Sequence, residues 1–305
     1  MIITKIKGGL GNQMFEYACG RALAEANNCA LKLDLGWFEQ GASYNHDIFF
    51  LDRFDMDIDM ATESDLASVL PLGQLGKKAV SSLYSVHPPL CQRFCNYYRE
   101  RQRTEISDSG HGPFILSFSP HVAALDPPCY LDGYWQSERY FDDITDIIRD
   151  AFTLSNQMTG ANAETMRKIR DSNSVSVHLR RGDYVNHGNA LNMAYYRRAI
   201  ERVQSAVDRP SFFVFSDDIS WAREHFKFDE ATHFVSQNGI DRCELDVALM
   251  ARCDHNIIAN STFSWWGAWL NPNDDKLVIS PAIWTSGRPV DALDIIPDRW
   301  ETVSW

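Results

Sequence analysis

From Ser174 onward, apolar runs and helix-period segments alternate, which leaves few architectures open to the chain. The runs at Val175–Leu179, Ser211–Phe215, Thr232–Val235, His255–Ala259 and Leu277–Ile279 read as strands. Helices are predicted between them near Ala194–Val207, Ile219–Phe226, Cys243–Arg252 and Ser261–Leu270. That order is the pattern of a parallel, doubly wound sheet. The N-terminus opens in the same way. A strand at Ile2–Ile6 runs through "KGGLGNQ" into an amphipathic helix in which Met14, Phe15, Ala18, Ala22, Leu23 and Ala26 recur at helical spacing, and "ALKLDL" follows as a strand. With 305 residues there is room for two domains. The expectation is an α/β fold of two Rossmann-type, doubly wound domains facing a cleft. The first would span residues 1–160 and the second 161–305, with the linker region around Asn156 to Asn173. The middle, about Gly36 to Pro128, carries loops, a helix around Glu63 to Leu70 and basic patches at Lys77–Lys78 and Arg93–Arg103. Those patches read as a solvated helix face, or else as an anchor to a membrane surface or acceptor.

In a sheet of this kind ligands bind at the carboxyl ends of the strands. The first strand of the second half ends in His178-Leu179-Arg180-Arg181-Gly182-Asp183, with Val175, Val177 and Leu179 on one face. A half-buried arginine pair is costly unless an anion meets it, either nearby aspartates or a ligand carrying two phosphates. The next strand ends in Ser216-Asp217-Asp218, where Asp217 or Asp218 can accept hydrogen bonds from a ribose or a guanine edge. The strand ending at Asn260 runs into Ser261-Thr262-Phe263-Ser264 at a helix start. Ser261 or Thr262 is an ordinary N-cap there, and the free amides make a ready phosphate site. Together these ends read as a site for a nucleotide diphosphate. In the first half, Gly11 and its neighbouring glycines let the backbone come close, while Asn12 and Gln13 would project into the cleft. A plain strand-to-helix turn reads the same motif equally well.

Composition narrows the partners. A net charge of −12 argues against nucleic acid or an anionic membrane as the main target, and it makes a local arginine cluster more informative. Seven scattered cysteines without C-x-x-C fit a reducing cytoplasm. Cys91 and Cys95 near His87 have no second pair of ligands with which to hold zinc. The N-terminus does not read as a signal peptide, and no apolar run approaches the ~20 residues needed to span a bilayer.

The chain resembles the bacterial α-1,2-fucosyltransferases of glycosyltransferase family 11. The resemblance rests on "KGGLGNQMFEYA", "GYWQSERYF" at 133–141, "VHLRRGDYV", "FFVFSDD" and "NSTFSWWGAWLN", which appear in the family's order. It implies an inverting enzyme of GT-B-like architecture, with GDP-fucose held mainly by the C-terminal domain. Arg180 or Arg181 would grip the β-phosphate, His178 and Asp218 would lie toward the guanosine, and Ser261, Thr262 and Phe263 would line the phosphate and sugar. A more distant likeness to the protein O-fucosyltransferases points to Asn12 at the reaction centre. The implied acceptor is a galactose-terminated oligosaccharide or lipid-linked glycan, as in O-antigen or other surface polysaccharide synthesis. Such an enzyme is expected in the cytoplasm, free or peripherally associated with the inner face of the membrane.

Fucosyl transfer builds negative charge on the leaving β-phosphate, so a two-pronged guanidinium aimed there favours the transition state over the ground state. Asp183 reads as a general base or as the charge partner of the arginines, and the second role is preferred because pairing makes a poorer base. Asp55, Asp57 and Asp59 have the D-x-D spacing of metal-binding transferases, but acids alternating with Met56, Ile58 and Met60 equally form the solvent face of a half-buried strand. The arginine pair already supplies the positive charge a metal would bring, and no metal or other cofactor is expected. Three rival readings are a transferase using another nucleotide sugar, a nicotinamide dehydrogenase and a carbohydrate-binding module built on Trp265, Trp266 and Trp269. "GGLGNQ" departs from the dinucleotide fingerprint, and three aromatics on one helix are more often core.

Overall fold

The computed structural model describes residues 1–40, 48–70, 82, 96–100, 103–104, 114–115, 117–154, 158–186, 188–228, 231–285, 288–289 and 294–304. Lys77–Lys78 and the Cys91, Cys95 and His87 group lie outside these residues. The chain divides into two compact units, Met1–Thr153 and Leu154–Trp305.

In the first unit, β1 (Ile2–Lys5) leads to α1 (Leu10–Ala26) and β2 (Leu31–Asp34). Then come α2 (Glu63–Val69), β3 (Tyr97–Arg99), β4 (Cys129–Asp132) and α3 (Thr145–Ala151). The strands form one parallel sheet in the order β2-β1-β4-β3. Ile2 and Ile3 are fully buried, as befits a strand covered on both faces. The helix begins at Leu10, three residues earlier than the sequence suggests. Gly9 is extended at its N-cap and its carbonyl accepts the amides of Asn12 and Gln13 (3.0 and 3.1 Å), which brings both into the first turn. Gln13 is fully buried. Its amide donates to the carbonyls of Gly8 and Ile48 (2.8 Å each) and accepts from Phe50 N (2.9 Å), so it ties down the 48–50 segment and does not project into a cleft.

The middle of the chain corrects two further expectations. Tyr97–Arg99 is a strand, not a helix face, because Tyr97 buries against Tyr130 in a stacked pair (5.4 Å) on the neighbouring strand. Around α2, Thr62 and Asp65 form a capping box: Thr62 Oγ accepts from Asp65 N (3.2 Å) and Asp65 Oδ2 accepts from Thr62 N (2.8 Å). Residues 55–60 form no regular strand. Asp55, Asp57 and Asp59 are exposed while Met56 and Ile58 are half-buried, and Asp59 lies 3.4 Å from Lys32.

The second unit starts with α4 (Gly160–Arg170), where a linker was expected. Met166 and Ile169 bury one side of that helix, so the segment is part of the domain. The rest follows the predicted alternation: β5 (Asn173–Leu179), α5 (Gly182–Asn186), α6 (Met193–Gln204), β6 (Pro210–Ser216), α7 (Ile219–His225), β7 (Thr232–Val235), α8 (Cys243–Ala251), β8 (His255–Ile257), α9 (Thr262–Trp269), β9 (Val278–Pro281) and β10 (Glu301–Val303). The sheet is parallel, in the order β10-β9-β8-β5-β6-β7. One face of β5, Val175, Val177 and Leu179, packs on Tyr195, Ala199, Ile200 and Val203 of α6. The other face is polar: Asn256 donates to Ser176 Oγ (2.7 Å), and Asn271 donates to Asn256 Oδ1 (2.8 Å). Trp265, Trp266 and Trp269 are core residues, 0–2% exposed and packed ring on ring, which removes them from any sugar-binding surface. No helix among the described residues is long and apolar enough to cross a membrane.

Helix α1 lies close on β1 at Gly20, where an added Cβ would come within 2.2 Å of Thr4 Oγ1 and 2.9 Å of Leu31 Cδ1. Gly20→Ala is therefore expected to destabilise the first unit by about 1–3 kcal/mol through overpacking. Urea denaturation, read as a lowered midpoint, measures this; an unchanged midpoint contradicts the packing described.

Candidate active site

Strands β8, β5 and β6 end side by side. The register aligns Ile257 with Val177, and Leu179 with Ser216, so the ends of all three strands continue past the sheet together. Arg180 leaves β5 between two carboxylates: its Nη2 lies 2.6 Å from Asp183 Oδ1 and its Nη1 2.9 Å from Asp217 Oδ2. Its guanidinium also sits over the Tyr184 ring, 5.3 Å from the centroid. The Asp217 contact needs Gly182, because a Cβ there would stand 2.7 Å from Asp217 Oδ2. Arg181 is held differently. Its guanidinium stacks 3.5 Å above the Trp221 ring, its Nε lies 3.6 Å from Asp218 Oδ2, and its backbone N–H donates to Asp217 Oδ1 (2.8 Å). Asp218 also caps α7, accepting from Trp221 N (3.1 Å).

The third strand end supplies the start of α9. Ser261 is its N-cap residue but makes no side-chain capping bond. Ser264, 1% exposed, is inward-facing: it accepts from Ala259 N and donates to Ser261 O (3.2 Å each). Tyr184 O–H donates to Asn260 O (3.2 Å), joining the arginine loop to this strand end. Asn260 in turn donates to the carbonyls of Asn189 and Trp284 (3.0 Å each). His178 is buried with its ring 5.4 Å from Phe263 and no partner for Nδ1. Burial, helped by the Arg180 charge, pushes its pKa down to about 3 and keeps the imidazole neutral.

The sheet of the first unit also gathers ionisable groups where its strands end. Lys5 ends β1 and Lys7 follows it, Asp34 ends β2, Asp132 ends β4 and Glu100 follows β3. Asp132 accepts from Lys7 Nζ (2.9 Å), Lys5 Nζ (3.2 Å) and Tyr97 O–H (2.7 Å). Burial alone would raise the pKa of Asp132, but the two ammonium groups outweigh it and hold the carboxyl well below the usual range. Glu16, fully buried, accepts from Lys7 N (2.8 Å), and desolvation pushes its carboxyl well above the usual value. Burial also raises Glu100 to about 7, against the Tyr134 and Trp135 amides it accepts. Asn12, half-buried, accepts from Gln136 Nε2 (2.9 Å).

The sequence profile described as Glycosyl transferase family 11 matches residues 117–300, more than half of the chain and all three strand ends. The chain belongs to that family. This family 11 glycosyltransferase is 32% identical over 98% of its length to an Escherichia coli protein named Alpha-1,2-colitosyltransferase, covering 98% of that protein. It is 30% identical to the E. coli O-antigen biosynthesis glycosyltransferase WbnK, covering 97% of this chain and 98% of the other. About half of it (49%) matches 44% of Galactoside alpha-(1,2)-fucosyltransferase 1 from Saimiri sciureus, at 30% identity.

In the enzyme, Arg180, Arg181, Asp183, Asp217, Asp218, His178 and the Ser261–Ser264 segment belong to one corner of the second unit, while Gly11, Asn12 and Gln13 belong to the first. Gln13 is committed to backbone partners, as described above. Sequence reasoning missed Lys7, Glu16, Glu100, Asp132 and Gln136, although the strand-end rule, applied to the first sheet, points to most of them. It also missed Asp246 on α8, which accepts from Asn238 (2.7 Å) and is raised to about 7 by burial.

Because His178 is neutral when folded and charged below its ordinary value when unfolded, it contributes stability above pH 6.5 that is lost as pH falls toward 3. The slope is about 1.4 kcal/mol per pH unit. Replacing it by Phe should flatten the pH dependence of unfolding between pH 6.5 and 4, followed by denaturant titration; an unaltered slope rules out a neutral buried imidazole.

Proposed function

We propose that this glycosyltransferase moves L-fucose from GDP-fucose, with inversion and without a metal ion, to the 2-hydroxyl of a galactose unit in a glycan acceptor. The observation that carries the reading is the placement of both arginines and the α9 helix start on adjacent strands of one sheet edge. A diphosphate set there meets two guanidinium groups and the first amides of a helix, and the charge growing on the departing β-phosphate is what these donors stabilise. Asp217 and Asp218 are the acceptors suited to ribose or base donors. Asp183, paired with Arg180, serves in this reading to hold that arginine rather than to take the proton. The acceptor oxygen forms its bond to the fucose anomeric carbon as the carbon–oxygen bond to the diphosphate breaks, Asn12 orients the acceptor hydroxyl, and its proton passes to the departing phosphate oxygen.

The names of the relatives support the acceptor class: one is an O-antigen glycosyltransferase and another acts on galactosides. A galactose-ended glycan, free or lipid-linked, in surface polysaccharide assembly fits both. The full-length similarity to a colitosyltransferase favours a second reading, in which the donor sugar lacks the 3-hydroxyl of fucose.

Scanning fluorimetry with GDP, UDP and NAD should give the largest shift with GDP, and turnover should survive EDTA. Assays with GDP-fucose and its 3-deoxy counterpart select the donor, and proton NMR of the product should show an α-fucoside. Loss of activity in EDTA restored by manganese, or a larger shift with UDP, contradicts the reading.

Lysine keeps the charge of arginine but not its fork. Arg180→Lys and Arg181→Lys are each expected to lower turnover more than tenfold, about 1.4 kcal/mol of transition-state stabilisation. Near-normal steady-state rates in both variants would make the pair structural.

A further inference from the structure

Two stretches that stand out in the sequence, "KGGLGNQMFEYA" and "GYWQSERYF", are joined in the first unit by a side-chain hydrogen bond. Gln136 Nε2 donates to Asn12 Oδ1 at 2.9 Å, across 124 residues of chain. Both residues are half-buried, and each is set by its own backbone before the bond is considered. On the Gln136 side, the Glu100 carboxylate accepts the amides of Tyr134 (2.6 Å) and Trp135 (3.2 Å), and Ser137 N donates to Trp135 O (2.8 Å). Trp135 is held at a positive φ of 51° with its indole buried, so the turn has one available course. On the Asn12 side, the first turn of α1 is fixed by Gly9 O and by the three backbone contacts of Gln13.

We infer that Gln136 is a positioning residue for Asn12: it holds the amide oxygen of Asn12 and so sets the amide plane before a substrate arrives. The inference rests on the proposed role of Asn12 in orienting the acceptor hydroxyl. An asparagine amide is a broad, two-fold rotor, and a donor fixed on its oxygen narrows the orientations it offers a reacting hydroxyl. Productive geometry requires groups held within about 0.5 Å and 10–20°, and small misplacements cost rate more than they cost binding. The bond adds little to a turn that Glu100 already holds. Its consequence falls on the orientation of Asn12.

The test is a double-mutant cycle with Asn12→Ala, Gln136→Ala and the double variant, assayed with GDP-fucose and a β-galactoside acceptor. Gln136→Ala should lower kcat for transfer about tenfold, while GDP affinity by calorimetry and the KM for donor stay within about twofold. The double variant should be no slower than Asn12→Ala alone. Gln136→Glu keeps the length but offers an acceptor where Asn12 needs a donor, and should be at least as slow as Gln136→Ala. If Gln136→Ala costs as much in the Asn12→Ala background as in the wild type, Gln136 acts through the fold and the inference is wrong. If Asn12→Ala is slow and Gln136→Ala runs at the wild-type rate, only the inference fails. A wild-type rate in Asn12→Ala overturns the reading of Asn12 and the inference with it.

Discussion

Two guanidinium groups at the end of one strand repel each other and lose solvation, so the corner around them must be built to hold them. Arg180 is held by carboxylates on both terminal nitrogens, Arg181 by an indole face and a looser aspartate. Much of the local covalent pattern follows from that demand. Gly182 is small so that Asp217 can reach Arg180, and Asp217 uses its other oxygen to hold the Arg181 backbone. Asp218 both pairs with Arg181 and caps the next helix, so the length of the β6–α7 connection is tied to the position of the charge. In the proposed function a phosphate would meet guanidinium groups whose surface is already partly occupied by Asp183 and Asp217.

The two units apply the same topological rule with different chemistry. In the second, parallel strand ends present arginines, aspartates and a helix start. In the first they present lysines sharing one aspartate and two carboxyls raised by burial. A raised pKa reflects the cost of desolvating a carboxylate, and the buried oxygens still order backbone amides. Glu16 orders the approach to α1 at Lys7, and Glu100 orders the turn that carries Gln136. These are the supports on which the glycine-rich segment and Asn12 rest.

How much of this is legible in the sequence differs by element. The second sheet is, because runs such as Val175–Leu179 and Ser211–Phe215 are buried on both faces and only a covered parallel sheet places them so. The arginine corner is legible for the same reason, as its residues directly follow the strands. The helix start at Leu10 is not, since its cap is a glycine backbone without a side-chain signal. The strand at Tyr97–Arg99 is hidden among arginines, and what places it is Tyr97 stacking on Tyr130, a contact 33 residues away. The α4 helix reads as a linker because its buried side amounts to little more than Met166 and Ile169. The amide contacts of Gln13 and the Gln136–Asn12 bond depend on distant backbone, and no local pattern announces them.

The stacking of Arg181 on Trp221 has an optical consequence. The indole lies 3.5 Å below a guanidinium, and its other neighbour is the His225 ring, stacked at 4.2 Å. Indole emission responds to the local electric field, and the strongest nearby charge belongs to the group that an incoming phosphate would neutralise. Trp265, Trp266 and Trp269 sit in the core away from solvent. Trp221 is thus an intrinsic chromophore at the charged corner, and a phosphate bound at Arg181 in the proposed function would shift its emission wavelength without any added label.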